Sequence, residues 1–394
     1  MTIPVPDYRG ACITNVVPAV ALALGRNRGG AAWPSEDEIA SRIDSLGLAM
    51  DHSRSDWIPK AISEASQVVV LVIDGLGQFQ LRDYAREAPV LASLSGSVIS
   101  AVAPTTTATA LTSIASGLSP IDHGILGYRM RLGTNQVFNS LLWSCPDVGT
   151  RISATPDVLR AATPFLGLDA AIVSKAQYSK TGFTRAYLGD SKFHEFRHVS
   201  TMVAKVKALL QAGKPMVYTY YEGLDSVAHE YGFSDAYREE LHFVDFLVSA
   251  LIETLPKGAA LVITADHGQV EVPSDPIRID ARLEAMTVLK SGEGRFRWLH
   301  LRGGTLELAK SIATELYGDI AWVLTRSEAL EAGLFGPGGN HSPYASRLGD
   351  LALIARSDVA FFDATDRGPL RLLCRHGSLT PAETQVPLVG YLAM

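Results

Sequence analysis

The sequence predicts an α/β fold: a three-layer αβα sandwich with a mostly parallel central sheet and an inserted cap. Three observations carry this expectation. Short apolar runs recur along the 394-residue chain. Helix-like patterns separate several of them. Carboxylate, imidazole or hydroxyl side chains stand at the ends of four. Runs without polar interruption fit strands covered on both faces. Strand and helix patterns that alternate fit a parallel sheet.

The elements follow in order. The N-terminal stretch "VVPAVALALG" is too short to cross a membrane and contains Pro18. Asp7 and Arg9 precede it, unlike the basic start of a signal peptide, so it reads as the first helix of a cytoplasmic protein. The strand-like runs are "VVVLVID" (68–74), "SVISAVAP" (97–104), "DAAIVS" (169–174), "PMVYTYY" (215–221), "AALVITAD" (259–266) and "DLALIARS" (350–357). Helical patterns occupy 200–213 and 235–255. Residues about 130–200 and about 270–345 are richer in Gly, Pro and charge, and read as cap insertions beside the active face. No internal repeat or linker divides the chain, so residues 1–394 are expected to form one catalytic domain.

Composition bounds the function. Apolar residues make up 47% of the chain, enough for a large core. A net charge of −6 argues against a surface for nucleic-acid polymers, which is usually basic. It leaves room for a small phosphorylated ligand. Cys12, Cys145 and Cys374 form no CxxC pair and are odd in number, which fits a reducing compartment.

In an open α/β sheet, ligands bind beyond the carboxyl ends of the strands. Asp74 ends "VVVLVIDG", and Asp266 with His267 ends "ALVITADHG". Glu222, Asp225 and His229 follow "MVYTYY", and five threonines between Thr105 and Thr112 follow "SVISAVAP". Each has a plain structural reading. Asp-Gly after a strand makes a turn. Asp225 and His229, at i and i+4, share a helix face. Threonines cap helices. Their conjunction points further, because burying four such groups at one edge without a ligand is costly.

Five ordered segments also resemble a known family: "VLVIDGLG", "APTTTATALTSIASGLSPIDHG", "YYEGLDSVAHEYG", "VITADHG" and "RHGSLTPAETQVPL". They are similar to motifs of the alkaline phosphatase superfamily, in its nucleotide pyrophosphatase/phosphodiesterase and phosphonoacetate hydrolase branches. The resemblance runs from residue 68 to residue 389. It implies one metal held by Asp74, Thr107, Asp266 and His267, with Thr107 also the nucleophile. It implies a second held by Asp225, His229 and His376. His341 in "GGNHSPY" is the rival to His376, which is favoured because "HGSLTPAE" matches the pattern. Thr105 and Thr106 are then capping or packing groups, and His123 a structural histidine. Where the diesterase branch commonly carries an asparagine that helps bind a phosphoryl oxygen, this chain has Tyr128, with Arg129 beside it. Both are expected to bind substrate.

The implied activity is two-metal hydrolysis of phosphodiester or pyrophosphate bonds through a phosphothreonine intermediate. Phosphonate or phosphomonoester cleavage on the same site is the alternative, and a binding protein without catalysis is the reading from another class. Zinc is the expected ion, with manganese tolerated. Two ions roughly 4 Å apart would clamp the entering and leaving oxygens. The expected partner is a small phosphorylated or phosphonate substrate, with neither a nucleic-acid polymer nor a membrane. The remaining histidines read plainly: His194 and His198 as a cap-surface pair, His242 as a helix-face residue. Trp143, Tyr178, Phe183 and Tyr187 in the cap stretch read either as leaving-group contacts or as core.

Overall fold

The computed structural model of the protein describes residues 3–28, 33–133, 136–145, 163–363 and 372–394. In chain order its strands are β1 (Gln67–Ile73), β2 (Ser95–Ser100), β3 (Arg129–Leu132), β4 (Gln136–Asn139), β5 (Ala170–Lys175) and β6 (Lys192–Phe196). β7 (Met216–Tyr221), β8 (Ala259–Thr264), β9 (Val270–Glu271), β10 (Ile277–Arg278), β11 (Thr287–Glu293) and β12 (Phe296–Leu301) follow. The last are β13 (Ala321–Thr325), β14 (Leu351–Ala355), β15 (Phe361–Phe362), β16 (Cys374–Arg375) and β17 (Gln385–Leu392).

A seven-stranded sheet, in the order β2-β17-β8-β1-β7-β5-β6, forms the centre. β8, β1, β7, β5 and β6 are parallel to one another. β17 is antiparallel to both of its neighbours, β2 and β8. The apolar run Val68–Ile73 lies in the middle of this sheet and is wholly buried. Each such side chain stabilises the fold by roughly 1.5–3 kcal/mol. The helices Val199–Gln211 and Asp235–Ile252 flank it, as their periodicity predicts. On the second, Tyr237, Leu241, Val244, Val248 and Leu251 are buried, whereas His242 is exposed. The helix Val16–Arg28 also packs into the main core. No helix among the described residues is long and apolar enough to cross a membrane.

Four expectations are corrected. Residues 351–355 do not join the central sheet. They form β14 of a second, antiparallel sheet, β11-β12-β14-β13. All five residues of β14 are buried, so the apolar run reported burial on both faces, not the direction of the partner strand. This extends the second insertion past its expected end at 345. The first insertion is narrower than expected, because β5 and β6 within it belong to the central sheet. Residues 146–162 of that stretch lie outside the described residues. Finally, "SVISAVAP" yields only a short edge strand, β2, and the strand beside it, β17, was not anticipated. Pro387 and Gly390 disguise β17 in the sequence. Pro387 sits opposite Val98 of the edge strand, just outside the stretch 388–392 that pairs with β8, a position a proline tolerates.

The second sheet packs one cluster around Leu299, Leu351, Leu353 and the helix Leu306–Tyr317. Another cluster joins Phe296, Trp298 and Phe335 to Ala103, Ile121 and Leu126, which flank the helix that starts at Thr107. The added sheet thus braces the segment that presents the threonines.

Candidate metal centre and nucleophile

Strand order brings the implied ligands to one edge. Asp74 directly follows β1. β1 lies between β7, whose following helix Gly223–Tyr231 carries Asp225 and His229, and β8, which leads into Asp266 and His267. Thr107 is the first residue of the helix Thr107–Ser116, reached from β2. His376 follows β16, on the way into β17. The nearest-neighbour order of β8, β1 and β7 therefore places three acidic strand ends side by side.

The helix from Thr107 is buried along its whole length. Small residues allow this, and its hydroxyls bond locally: Thr112 Oγ1 donates to Ala108 O and Ser116 Oγ to Thr112 O, both at 2.7 Å. Its first intrahelical bond runs from Ala110 N–H to Thr106 O. The N–H groups of Thr107, Ala108 and Thr109 precede that bond and face the start of the helix, where an anion is favoured.

Two groups of ligand atoms converge. Atoms of Asp74, Asp266 and His267 all lie within 4.8 Å of one another, as do atoms of Asp225, His267 and His376. His267 Nε2 is 3.4 Å from Asp74 Oδ1 and 3.4 Å from Asp266 Oδ2, and accepts a 3.2 Å hydrogen bond from the Thr107 hydroxyl. His229 Nε2 is 3.3 Å from Asp225 Oδ2. His376 Nε2 is 3.9 Å from Asp225 Oδ1.

The three histidines are oriented alike. Nδ1 of His229 meets Cys374 O at 2.7 Å, Nδ1 of His267 meets Gly268 O at 3.2 Å, and Nδ1 of His376 meets Thr105 O at 2.7 Å. A carbonyl only accepts, so each Nδ1 carries a proton and turns its Nε2 toward the cluster. The carboxylates follow the same scheme. Tyr220 hydroxyl donates to Asp74 Oδ2. Gln269 Nε2 donates to Asp225 Oδ1 at 2.7 Å. Gly75 N–H and His267 N–H donate to Asp266 Oδ1, at 3.2 and 3.0 Å. Each carboxylate keeps its other oxygen for the cluster, and Asp74 Oδ1 and Asp266 Oδ2 are buried without a hydrogen-bond partner among the described residues.

Electrostatics agree with this. Burial pushes the Asp74 carboxyl well above the usual range, and the charges of Asp266 and Asp225 push it further. Burial also raises Asp225 and Asp266, against the pull of His229 and His267 respectively. Burial lowers His267, and lowers His376 far more. Neutral imidazoles and crowded carboxylates with orphaned oxygens form a donor set that could hold divalent cations. The N/O ligand types fit zinc or manganese.

The other predicted residues fall as follows. His341 is exposed on a short 3-10 turn and belongs to neither ligand group. Arg129 is buried and pairs with Asp363 at 3.5 Å. Tyr128 is half-buried. His123 is buried. Its Nδ1 accepts from Ile125 N–H and its Nε2 donates to Ser113 Oγ at 2.9 Å, which ties it to the helix that starts at Thr107. His194 and His198 join neither group, and His198 precedes a helix on the surface. Phe183 and Tyr187 stack at 4.6 Å in the main core. Trp143 packs edge-on against Phe138 at 5.0 Å. Tyr178 faces Tyr220, with ring centroids 6.4 Å apart.

Of the two roles expected for the threonines beside Thr107, capping or packing, capping is not found, and both side chains are buried. Thr106 occupies the N-cap position but its side chain caps nothing. Thr105 instead locks the His376 loop: its hydroxyl donates to Ser378 O at 2.8 Å and accepts from Gly377 N–H at 2.9 Å. Sequence reasoning also missed Tyr220, Gln269, Arg295 and Glu383. Arg295 and Glu383, both fully buried, form a bidentate pair at 2.7 and 2.8 Å. Glu383 also accepts from Ser378 N–H and Thr380 Oγ1, so it anchors the loop after His376. "TPAE" is a capping-box pattern, which was the available signal for Glu383. Tyr220 and Gln269 gave none, since each reads as an ordinary core or strand-end residue.

A family model described as type I phosphodiesterase / nucleotide pyrophosphatase matches residues 68–378. Murine ectonucleotide pyrophosphatase / phosphodiesterase 5 is structurally similar, at a TM-score of 0.60 and 17% identity over 82% of this chain and 88% of that one. Its inactive threonine-to-alanine variant in complex with AMP matches at 0.59 and 17% over 82% and 87%. Phosphonoacetate hydrolase from Sinorhizobium meliloti 1021, in complex with phosphonoformate, matches at 0.58 and 20% over 83% and 90%. No curated protein matches the chain in sequence.

Proposed function

The chain belongs to the type I phosphodiesterase / nucleotide pyrophosphatase family, and from that premise we propose that it hydrolyses a phosphodiester or pyrophosphate bond through a phosphothreonine at Thr107. The observation that carries this is the shared orientation of His229, His267 and His376, whose Nδ1 atoms are tied to backbone carbonyls while Nε2 atoms meet carboxylate oxygens. Outer hydrogen bonds of that kind orient metal ligands.

Asp74, Thr107, Asp266 and His267 would hold one divalent cation, and Asp225, His229 and His376 the other, with zinc first and manganese second. When bound, such ions supply Lewis acidity that activates a hydroxyl and offsets phosphoryl charge. Thr107 Oγ1 forms a bond to phosphorus, its proton passes to solvent, and the bond to the leaving group breaks. The helix N–H groups at Thr107, Ala108 and Thr109 help to hold the anionic oxygens. Water then attacks phosphorus, the bond to Oγ1 breaks, and Thr107 is restored. Tyr128, half-buried, is proposed to donate a hydrogen bond to substrate. Arg129 would act beside it while paired with Asp363.

Charge supports a diester over a monoester. Lys175 is matched to Glu222 and Arg295 to Glu383, so these two cations bring little uncompensated charge for a dianion, whereas Arg129 shares Asp363 with Arg297 and Lys290. Phosphonate cleavage is the second reading, supported by the likeness to a phosphonoacetate hydrolase. The buried thiols Cys12 and Cys374 support a cytoplasmic location.

A turnover panel with added zinc or manganese tests the reading, using a nitrophenyl phosphodiester, the matching monoester and phosphonoacetate. The diester should turn over fastest. Faster monoester turnover would overturn the diester preference, and turnover of phosphonoacetate alone would establish the second reading. No turnover by protein holding two ions would favour a binding protein.

A further inference from the structure

We infer that Gln269 is a positioning residue for Asp225 and thereby sets the affinity of the second cation site without setting that of the first. This rests on the two-cation reading above. Gln269 is 1% exposed, and its Nε2 donates to Asp225 Oδ1 at 2.7 Å. Its Oε1 has no hydrogen-bond partner among the described residues. The contact with Asp225 is therefore the one in which the buried amide group engages a ligand of the cluster.

The surroundings are built to keep that amide in place. Gln80 Nε2 donates to the Gln269 carbonyl at 2.7 Å and fixes its backbone. Gly75 opens the slot the amide occupies. A Cβ there would fall 2.3 Å from Gln269 Nε2, and the glycine has a φ of +75°, which side chains rarely adopt. With Oδ1 held, Asp225 directs Oδ2 at His229, 3.3 Å away. Without the amide, the carboxylate is free to rotate, and the free energy of binding at this site then includes the cost of ordering it.

Selectivity follows from separate supports. Asp74 is held by Tyr220, and Asp266 by the N–H groups of Gly75 and His267. Gln269 donates to neither. A change at Gln269 reaches the second site through Asp225 and leaves the supports of the first intact.

The test is a Zn²⁺ titration into metal-free full-length parent and Gln269→Met, by calorimetry with a competing chelator. Methionine has a similar length and no amide. The parent should take up two ions. The variant should bind one as the parent does and the other about 10–100-fold more weakly, the usual effect of losing an outer hydrogen bond to a ligand. Its lost turnover should return as zinc is raised, and its metal-free melting temperature should match the parent's. Two sites bound as in the parent, or two weakened alike, would overturn the inference while leaving the two-cation reading standing. A parent that takes up fewer than two ions would overturn that reading and this one with it. If Gln269→Met does not fold, Gln269→Leu replaces it. Loss of fold in both would assign Gln269 to the core and overturn the inference.

Discussion

The imidazole rings of His267 and His376 lie stacked, with centroids 3.7 Å apart and planes 13° from parallel. They arrive from β8 and from the loop before β17, more than a hundred residues apart in sequence. Both rings carry their proton on Nδ1, against a backbone carbonyl. Burial holds both neutral, and in His376 the neighbouring imidazoles add to the effect. Two uncharged rings with their lone pairs beside three carboxylates are poised to bind cations.

Metal content follows from that geometry. Protein purified without chelator should hold about two transition-metal ions per chain by elemental analysis, one for each proposed ligand set. Chelation should abolish turnover and lower the melting temperature, since ions that bind only the folded chain stabilise it. Fewer than one ion per chain, with turnover intact, would remove the metal from the mechanism.

Thr107→Ala should keep the fold and most of the metal, because Asp74, Asp266 and His267 remain. It should lose nearly all turnover. Thr107→Ser should keep part of it, since the hydroxyl survives without the methyl group that restricts its rotamer. Acid quench followed by peptide mass mapping should find the phosphoryl group on Thr107. Finding it on Thr105 or Thr106 would relocate the nucleophile.

Thr105→Val should destabilise the protein by about 1–3 kcal/mol, because the buried Gly377 N–H and Ser378 carbonyl each lose a partner. Thr106→Ala should cost less, since its side chain caps nothing. Urea unfolding compares the two, and equal losses would contradict the role assigned to Thr105.

Glu383→Ala leaves Arg295 buried and unpaired, so it should cost about 3–5 kcal/mol in the same measurement. The double change Arg295→Met with Glu383→Leu should cost less than the single one. If Glu383→Ala loses under about 1 kcal/mol, the pair does not hold the His376 loop.

Stability should also report His123. Burial, then the charge of Arg347, pushes it down to about 3 from 6.5. As pH falls below 6.5 the unfolded chain takes up this proton first, so its contribution to stability is lost between pH 6.5 and 3. The slope approaches about 1.4 kcal/mol per pH unit. His123→Gln should flatten the pH dependence by up to that amount. A parallel curve would show that His123 is not kept neutral.

The apolar runs by themselves determined where four of the five parallel strands lie, β1, β5, β7 and β8, because burial on both faces imposes an uninterrupted apolar composition; β6, at the sheet edge, carries no such run. The same reasoning misassigned Leu351–Ala355, since composition reports burial but not which strand lies alongside. It missed β17 because Pro387 is tolerated just outside the stretch that pairs with β8, and the extent of that pairing is decided only by the sheet. The candidate ligand residues were legible because their chemistry is confined to a few residue types at strand ends, and a family resemblance implied their roles. What only the tertiary structure decided is how they are held: Tyr220 on Asp74, Gln269 on Asp225, and Thr105 and Glu383 on the loop that carries His376. Apart from the short-range bond of Glu383 to Ser378, those supports are ordinary hydrogen bonds between residues distant in the chain, and no local pattern encodes which strand ends become neighbours.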